Sequence, residues 1–145
     1  MTQFRGKFTN KLDAKARVSV PAPFRARLGG EGLVLRRSPR LPCIEAWPAS
    51  AFEAVATPLS PLDEPSLEDD ALAYALFADV VDVTPDPEGR MVLPKDLMEH
   101  AGLDGQVTFL GKINRFELWA PEAAEAQIAA AREMLAKRAA QGAAP

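Results

Sequence analysis

The sequence predicts an α+β fold, mainly β, built as a tandem duplication of one small unit with short helices and a C-terminal helix. Three observations carry that reading. The run Asp13-Ala-Lys-Ala-Arg17-Val-Ser-Val-Pro21 is answered by Asp86-Pro-Glu-Gly-Arg90-Met-Val-Leu-Pro94, with every matched position displaced by 73 residues. Phe24 and Leu97 follow in step, and Glu45-Ala-Trp47 returns as Glu117-Leu-Trp119, displaced by 72 after a one-residue slip in a loop. Short apolar alternations bounded by Pro, Gly and Asp then suit strands rather than long helices. Each half, about 70 residues, would bury only a thin core, so the halves are expected to fold together as one domain.

Lys7 to Leu12 alternates as a strand, Asp13 to Ala16 is a turn, and Arg17 to Val20 is a second strand with Val18 and Val20 on one face. Pro21 ends that strand because it lacks the donor a ladder needs, and it pre-sets a helix over Ala22 to Leu28 that stops at Gly29 and Gly30. Leu33 to Arg37 and Cys43 to Trp47 are the next strands. The second copy repeats the series: a strand over Val80 to Val83, a turn over Pro85 to Gly89, a strand over Arg90 to Leu93, and Pro94. A helix over Lys95 to Ala101 ended by Gly102 follows, then strands over Val107 to Gly111 and Arg115 to Trp119. Each half reads strand, turn, strand, helix, strand, strand, helix.

Pro58, Pro61 and Pro65 mark a linker, and helix resumes after Ser66, a fitting N-cap, with Glu68, Asp69 and Asp70 in a first turn where the helix dipole favours acids. Pro121 to about Arg138 is an alanine-rich helix whose stripe of Ala124, Ile128, Ala131 and Leu135 is expected to pack on the protein's own sheet, with Gln141 to Pro145 frayed. The boundaries are thus 1–57 for the first unit, 58–78 for the linker and connecting helix, 79–120 for the second unit, and 121–145 for the terminal helix and tail.

The net charge of −3 conceals an asymmetry: residues 1–40 carry +8, residues 41–90 carry −10, and the remainder −1. An acidic protein still binds a polyanion when its bases share one surface. Cys43 is the single cysteine, so no intrachain disulfide forms and no zinc spacing exists; it reads as a small buried hydrophobe. His100, the single histidine, reads as a C-terminal helix cap. No glycine-rich phosphate loop, metal-ligand cluster or nucleophile with a base can be assembled, so no enzymatic activity, cofactor, metal or small-molecule substrate is expected. The most apolar stretch, Ala71 to Val81, is broken by Asp79 and too short to cross a bilayer, and the expected location is the cytoplasm.

The repeated motif suits nucleic acid. A two-stranded β-ribbon fits the major groove of double-stranded DNA, and an arginine on it can meet guanine O6 and N7 with two parallel donors. Arg17 and Arg90 are the candidates for that role. Lys15, with Arg5 and Lys7, suits phosphate contacts that set register. A structural role is also open and can coexist with it, in which Arg17 pairs with Asp13, and Arg90 with Asp86, across its own turn.

These residues also carry a resemblance. Phe4-Arg-Gly, Leu12 to Pro21, Asp86 to Arg90, His100-Ala-Gly-Leu103 and Asn114 to Trp119 together resemble the MraZ family, in the expected order and over nearly the whole chain. The resemblance implies two swapped-hairpin β-barrel units of the AbrB and MazE type. It implies a ring-shaped homo-oligomer of about eight subunits, associated with the nucleoid, that binds short direct repeats in the promoter of the division and cell-wall gene cluster. The family motif is Asp-x-Lys-Gly-Arg: Asp13, Lys15 and Arg17 match in the first copy, and Asp86, Gly89 and Arg90 in the second. Ala16 stands where glycine is usual and asks the turn to avoid a strongly left-handed backbone, while Glu88 stands where lysine would be. An antitoxin-like protein that binds a partner protein is the alternative, because the same hairpin unit occurs in antitoxins.

Overall fold

A computed structural model of the chain describes residues 3–56 and 67–142. The elements in order are β1 (Lys7–Lys11), β2 (Arg17–Ser19), α1 (Ala22–Leu28), β3 (Leu33–Arg37), β4 (Ile44–Pro48), α2 (Ala49–Ala56), α3 (Leu67–Phe77), β5 (Val81–Val83), β6 (Arg90–Val92), α4 (Lys95–Ala101), β7 (Gln106–Gly111), β8 (Phe116–Trp119) and α5 (Pro121–Ala140). The expected mainly β, two-copy architecture is present, with most strand ends within a residue of expectation. The proline-marked linker and the Ser66 cap fall outside the described residues.

The two copies are interleaved rather than side by side. Six antiparallel strands form one sheet in the order β1-β7-β8-β4-β3-β5, and β2 pairs with β6 as a separate ribbon. Since β1 to β4 correspond to β5 to β8, exchanging the copies leaves this order unchanged. A pseudo-twofold axis therefore passes between β4 and β8, where Glu45 faces Glu117, and through the ribbon, where Val18 faces Met91. Each copy's first strand completes the other copy's half of the sheet: β1 pairs with β7, and β5 with β3.

The register corrects the slip expected from sequence. Asn10 pairs with Val107, and Leu33 with Val83. Asn10 and Val83 are equivalent at the motif's displacement of 73, so Leu33 and Val107 are equivalent at 74. The second copy gains one residue before β7 and loses two in the turn before β8, which returns Glu45 and Glu117 to a displacement of 72.

One sheet face and the ribbon enclose the apolar core. Phe4, Phe24, Phe109 and Phe116 are fully buried there with Leu33, Leu35, Ile44, Leu97 and Leu118. Phe24 on α1 packs edge-on against Phe4 at 5.5 Å between centroids and lies 4.9 Å from Phe116. Burying a ring of this kind contributes about 2–3 kcal/mol, and it anchors α1 directly after the ribbon. The other face carries a buried polar row. Glu45 Oε1 accepts from Arg36 Nε at 2.8 Å and from Trp47 Nε1 at 2.9 Å. In the second copy Glu117 accepts from Trp119 Nε1 at 3.0 Å and from Lys112 Nζ at 3.2 Å.

Pro21 and Pro94 stand at the N-cap positions of α1 and α4 with extended backbone, and the helices begin at Ala22 and Lys95 as expected. Gly29 and Gly102 close those helices in the left-handed conformation, as expected. The α5 stripe packs only at its start: Ala124 is fully buried against Cys43 and Trp119, whereas Ala131 and Leu135 are exposed because the helix runs past the sheet. His100 is not a cap of its own helix; its Nε2 lies 3.1 Å from the Leu41 carbonyl oxygen in the β3–β4 turn, while the Gly102 N–H serves the helix end.

Candidate nucleic-acid interface

Each Asp-to-Arg motif is a turn organised by its aspartate. Asp13 Oδ1 accepts the backbone N–H groups of Lys15 and Arg17, both at 2.9 Å, and Oδ2 accepts Arg17 Nε at 2.8 Å. Asp86 repeats this atom for atom, accepting Glu88 N and Arg90 N at 2.9 Å and Arg90 Nε at 3.0 Å. These donors hold both carboxyls below the ordinary aspartate range, led in each case by the backbone N–H of the motif arginine. The side-chain bond to Asp86, with the charges of Asp86 and Glu88, pushes the Arg90 guanidinium up. The pairing expected across each turn is therefore present in both copies.

The turns are locked by the opposite copy. Val20 N–H donates to the Gly89 carbonyl at 2.8 Å, and its equivalent Leu93 N–H donates to the Ala16 carbonyl at 2.9 Å. Ala16 takes φ 61°, against the expectation that it would avoid the left-handed region. Its N–H is bound to the Asp13 carbonyl at 3.0 Å and its own carbonyl to Leu93, so the hydrogen-bond frame overrides the local steric preference.

The ribbon turns Val18 and Met91 into the core, and by strand alternation Arg17, Ser19, Arg90 and Val92 share the opposite face. Arg17 and Arg90 are diagonal neighbours, since Arg17 pairs with Val92 and Ser19 with Arg90. Arg17 keeps both Nη nitrogens without a partner among the described residues, whereas Arg90 Nη2 lies 3.4 Å from Glu88. Lys11, Asp13, Arg17, Ser19 and Arg90 line one shallow depression beside the ribbon. Lys15 is exposed on the first turn.

The remaining sequence candidates lie elsewhere. Lys7 pairs with Glu125 of α5, and with Arg5 it stands at the far end of β1, roughly 13 Å or more from Lys11 along the strand. The basic N-terminal third does not form one patch: Arg36 is buried on the far sheet face, Arg37 pairs with Asp79, and Arg25 lies behind Gly89. Lys11 is the site residue missed in the sequence, although its place one alternation before Asp13 was the available signal. Cys43 is fully buried, and burial pushes its thiol far up, so it offers no ready thiolate.

The family model described as "MraZ protein, putative antitoxin-like" matches residues 3–71 and 76–143, one match per copy. The chain belongs to the MraZ family. A Transcriptional regulator MraZ from Gluconacetobacter diazotrophicus is 50% identical over 138 residues, covering 91% of this chain and 87% of that protein. Its counterpart in Gluconobacter oxydans is 44% identical, covering 91% and 84%. The Transcriptional regulator MraZ of Rickettsia akari is 39% identical, covering 92% of each chain. The MraZ matches thus run across both Asp-to-Arg motifs and the strands that interleave them. Among the described residues no helix is long and apolar enough to cross a membrane.

Proposed function

We propose that this chain is a sequence-specific DNA-binding transcriptional regulator that reads double-stranded DNA with the β2–β6 ribbon. The observation that carries the reading is the pair Arg17 and Arg90, exposed on one ribbon face with each Nε held by its own aspartate. That anchor fixes the guanidinium plane before DNA arrives; both Nη donors of Arg17 are left to meet guanine O6 and N7 in the major groove, whereas Arg90 shares its Nη2 with Glu88. As diagonal neighbours the two arginines lie roughly 7–8 Å apart, a spacing of about two base-pair steps at ~3.4 Å each. Lys15 and Lys11 contact phosphates beside them, and Arg5 and Lys7 contact a separate stretch of backbone. Asp13, Asp86, Gly89, Pro21 and Pro94 shape the turns and launch the helices.

One ribbon offers few base contacts. In a ring of about eight copies, several ribbons would engage direct repeats at once, which raises affinity without new contacts. The target proposed from the family is the promoter of the division and cell-wall gene cluster, which places the protein in the cytoplasm at the nucleoid. The antitoxin-like wording of the family description favours a second reading, a protein partner bound at the same ribbon.

Fluorescence anisotropy with the duplex upstream of the gene and a scrambled duplex, at one near-physiological salt concentration, tests the proposal. Tighter binding to the upstream duplex, lost in Arg17→Ala with the assembly intact by sedimentation, is the expected result. Equal binding of both duplexes, or a parental response from Arg17→Ala, would refute readout by the ribbon.

A further inference from the structure

The sheet face turned away from the ribbon holds a cleft of about 220 Å³ lined by Arg36, Ser38, Arg40, Trp47, Lys112 and Arg115, with Glu45 at its wall. Two of its four cations are neutralised: Arg36 by Glu45 at 2.8 Å and Lys112 by Glu117 at 3.2 Å. Arg40 and Arg115 have no carboxylate among the described residues, so the cleft carries a surplus of two positive charges. Arg115 is held firmly, with its guanidinium carbon 4.7 Å from the Trp47 ring centroid and Nη1 donating to Asn114 Oδ1 at 3.1 Å. Its Nε is buried without a hydrogen-bond partner among the described residues. A buried donor left unmade is costly, which is why nearly all such groups in folded proteins have partners. The duplicated frame does not demand an arginine here, since the equivalent position in the first copy is Cys43, which packs against Trp119 without charge.

We propose that this cleft binds a free, doubly charged oxyanion of the phosphate type. The surplus charge matches a dianion, and the buried Ser38 hydroxyl, whose oxygen accepts the Leu41 N–H at 3.2 Å, adds a neutral donor. The volume lies below the usual 300–1,000 Å³ of sites for larger organic ligands, so the ligand is inorganic phosphate or a small phosphorylated compound rather than a nucleotide. The site is separate from the ribbon and does not depend on DNA binding.

Isothermal titration calorimetry of the full chain with inorganic phosphate, at ionic strength held constant with chloride, tests it. The expected result is saturable binding that weakens about tenfold or more in Arg115→Gln and in Arg40→Gln, the loss of one charge-assisted contact each. Arg40 is exposed in a turn, so Arg40→Gln keeps the test valid if Arg115→Gln fails to fold. Heat that does not saturate, or that is unchanged in Arg40→Gln, would overturn the proposal. Sedimentation velocity separates the sources of the anion. If phosphate does not bind and the two substitutions instead dissolve assemblies of the parent, the cleft holds a carboxylate from another copy and the free-ligand assignment falls.

Discussion

Ala16 and Gly89 hold the same place in the two motif turns, and both adopt positive φ, 61° and 80°. Only Gly89 does so without steric cost. The missing Cβ of Gly89 matters twice, because one added there would overlap the Arg25 side chain that lies across the turn.

Ala16→Gly should therefore stabilise the protein by roughly 0.5–1 kcal/mol, the left-handed strain relieved less the extra chain entropy of glycine. Gly89→Ala should cost about 1–2 kcal/mol, and Arg25→Ala in the same chain should recover part of it. Urea unfolding midpoints of the four proteins check the whole set.

The aspartate networks make the motif turns acid-sensitive. The carboxyls of Asp13 and Asp86 titrate below their ordinary value of 3.8 when folded. A depressed folded value means that the stabilisation is fully present above the unfolded value and is lost as pH falls through the folded one. Stability should drop below about pH 4, with a shallower slope in Asp13→Asn. Urea unfolding between pH 6 and pH 2 measures it, and an unchanged slope in Asp13→Asn would rule out this origin.

Arg36 lies 5.8–6.0 Å from the ring centroids of Trp47, Phe52 and Phe77 while paired to buried Glu45. Arg36→Ala would leave buried Glu45 charged without a cation, held only by the Trp47 N–H, a loss of about 3–5 kcal/mol. Arg36→Ala with Glu45→Gln should recover much of that loss, and denaturant unfolding of both variants decides it.

Glu88 places a carboxylate beside Arg90, and the first copy has no equivalent, because Lys15 stands there. On the proposed function, Glu88→Lys should tighten duplex binding and steepen its salt dependence by about one unit of log–log slope, the signature of one added phosphate contact. Anisotropy titrations across a salt series would show it; no change in slope would place Glu88 away from the DNA.

How much of this was legible in the chain differs by level. The repeat, its strands and its glycine-capped helices were readable because each rests on local rules: alternation, proline at a strand end, glycine after a helix. The pairing of Asp13 with Arg17 was also readable, being a contact within one turn. What lay hidden depended on the opposite copy. Ala16 was misread because the bond from Leu93 that holds its turn comes from 77 residues away. Arg5 and Lys7 were grouped with Lys15 by closeness in sequence, whereas an extended strand carries them to its other end. The polar row of Arg36, Glu45, Lys112 and Glu117 went unread as such, although the repeated Glu-x-Trp spacing was its trace.

The exchange of strands between copies also has a consequence during synthesis. β1 leaves the ribosome long before its partner β7, which ends at Gly111, and β4 must wait for β8 to end at Trp119. The β3–β4 hairpin can form first, β5 can cover its β3 edge once Val83 is made and β2 can meet β6 after Val92, but the β4 edge stays bare until β8 is complete. Closing contacts across such long separations is slow. The six-stranded sheet can therefore close only after translation has passed Trp119.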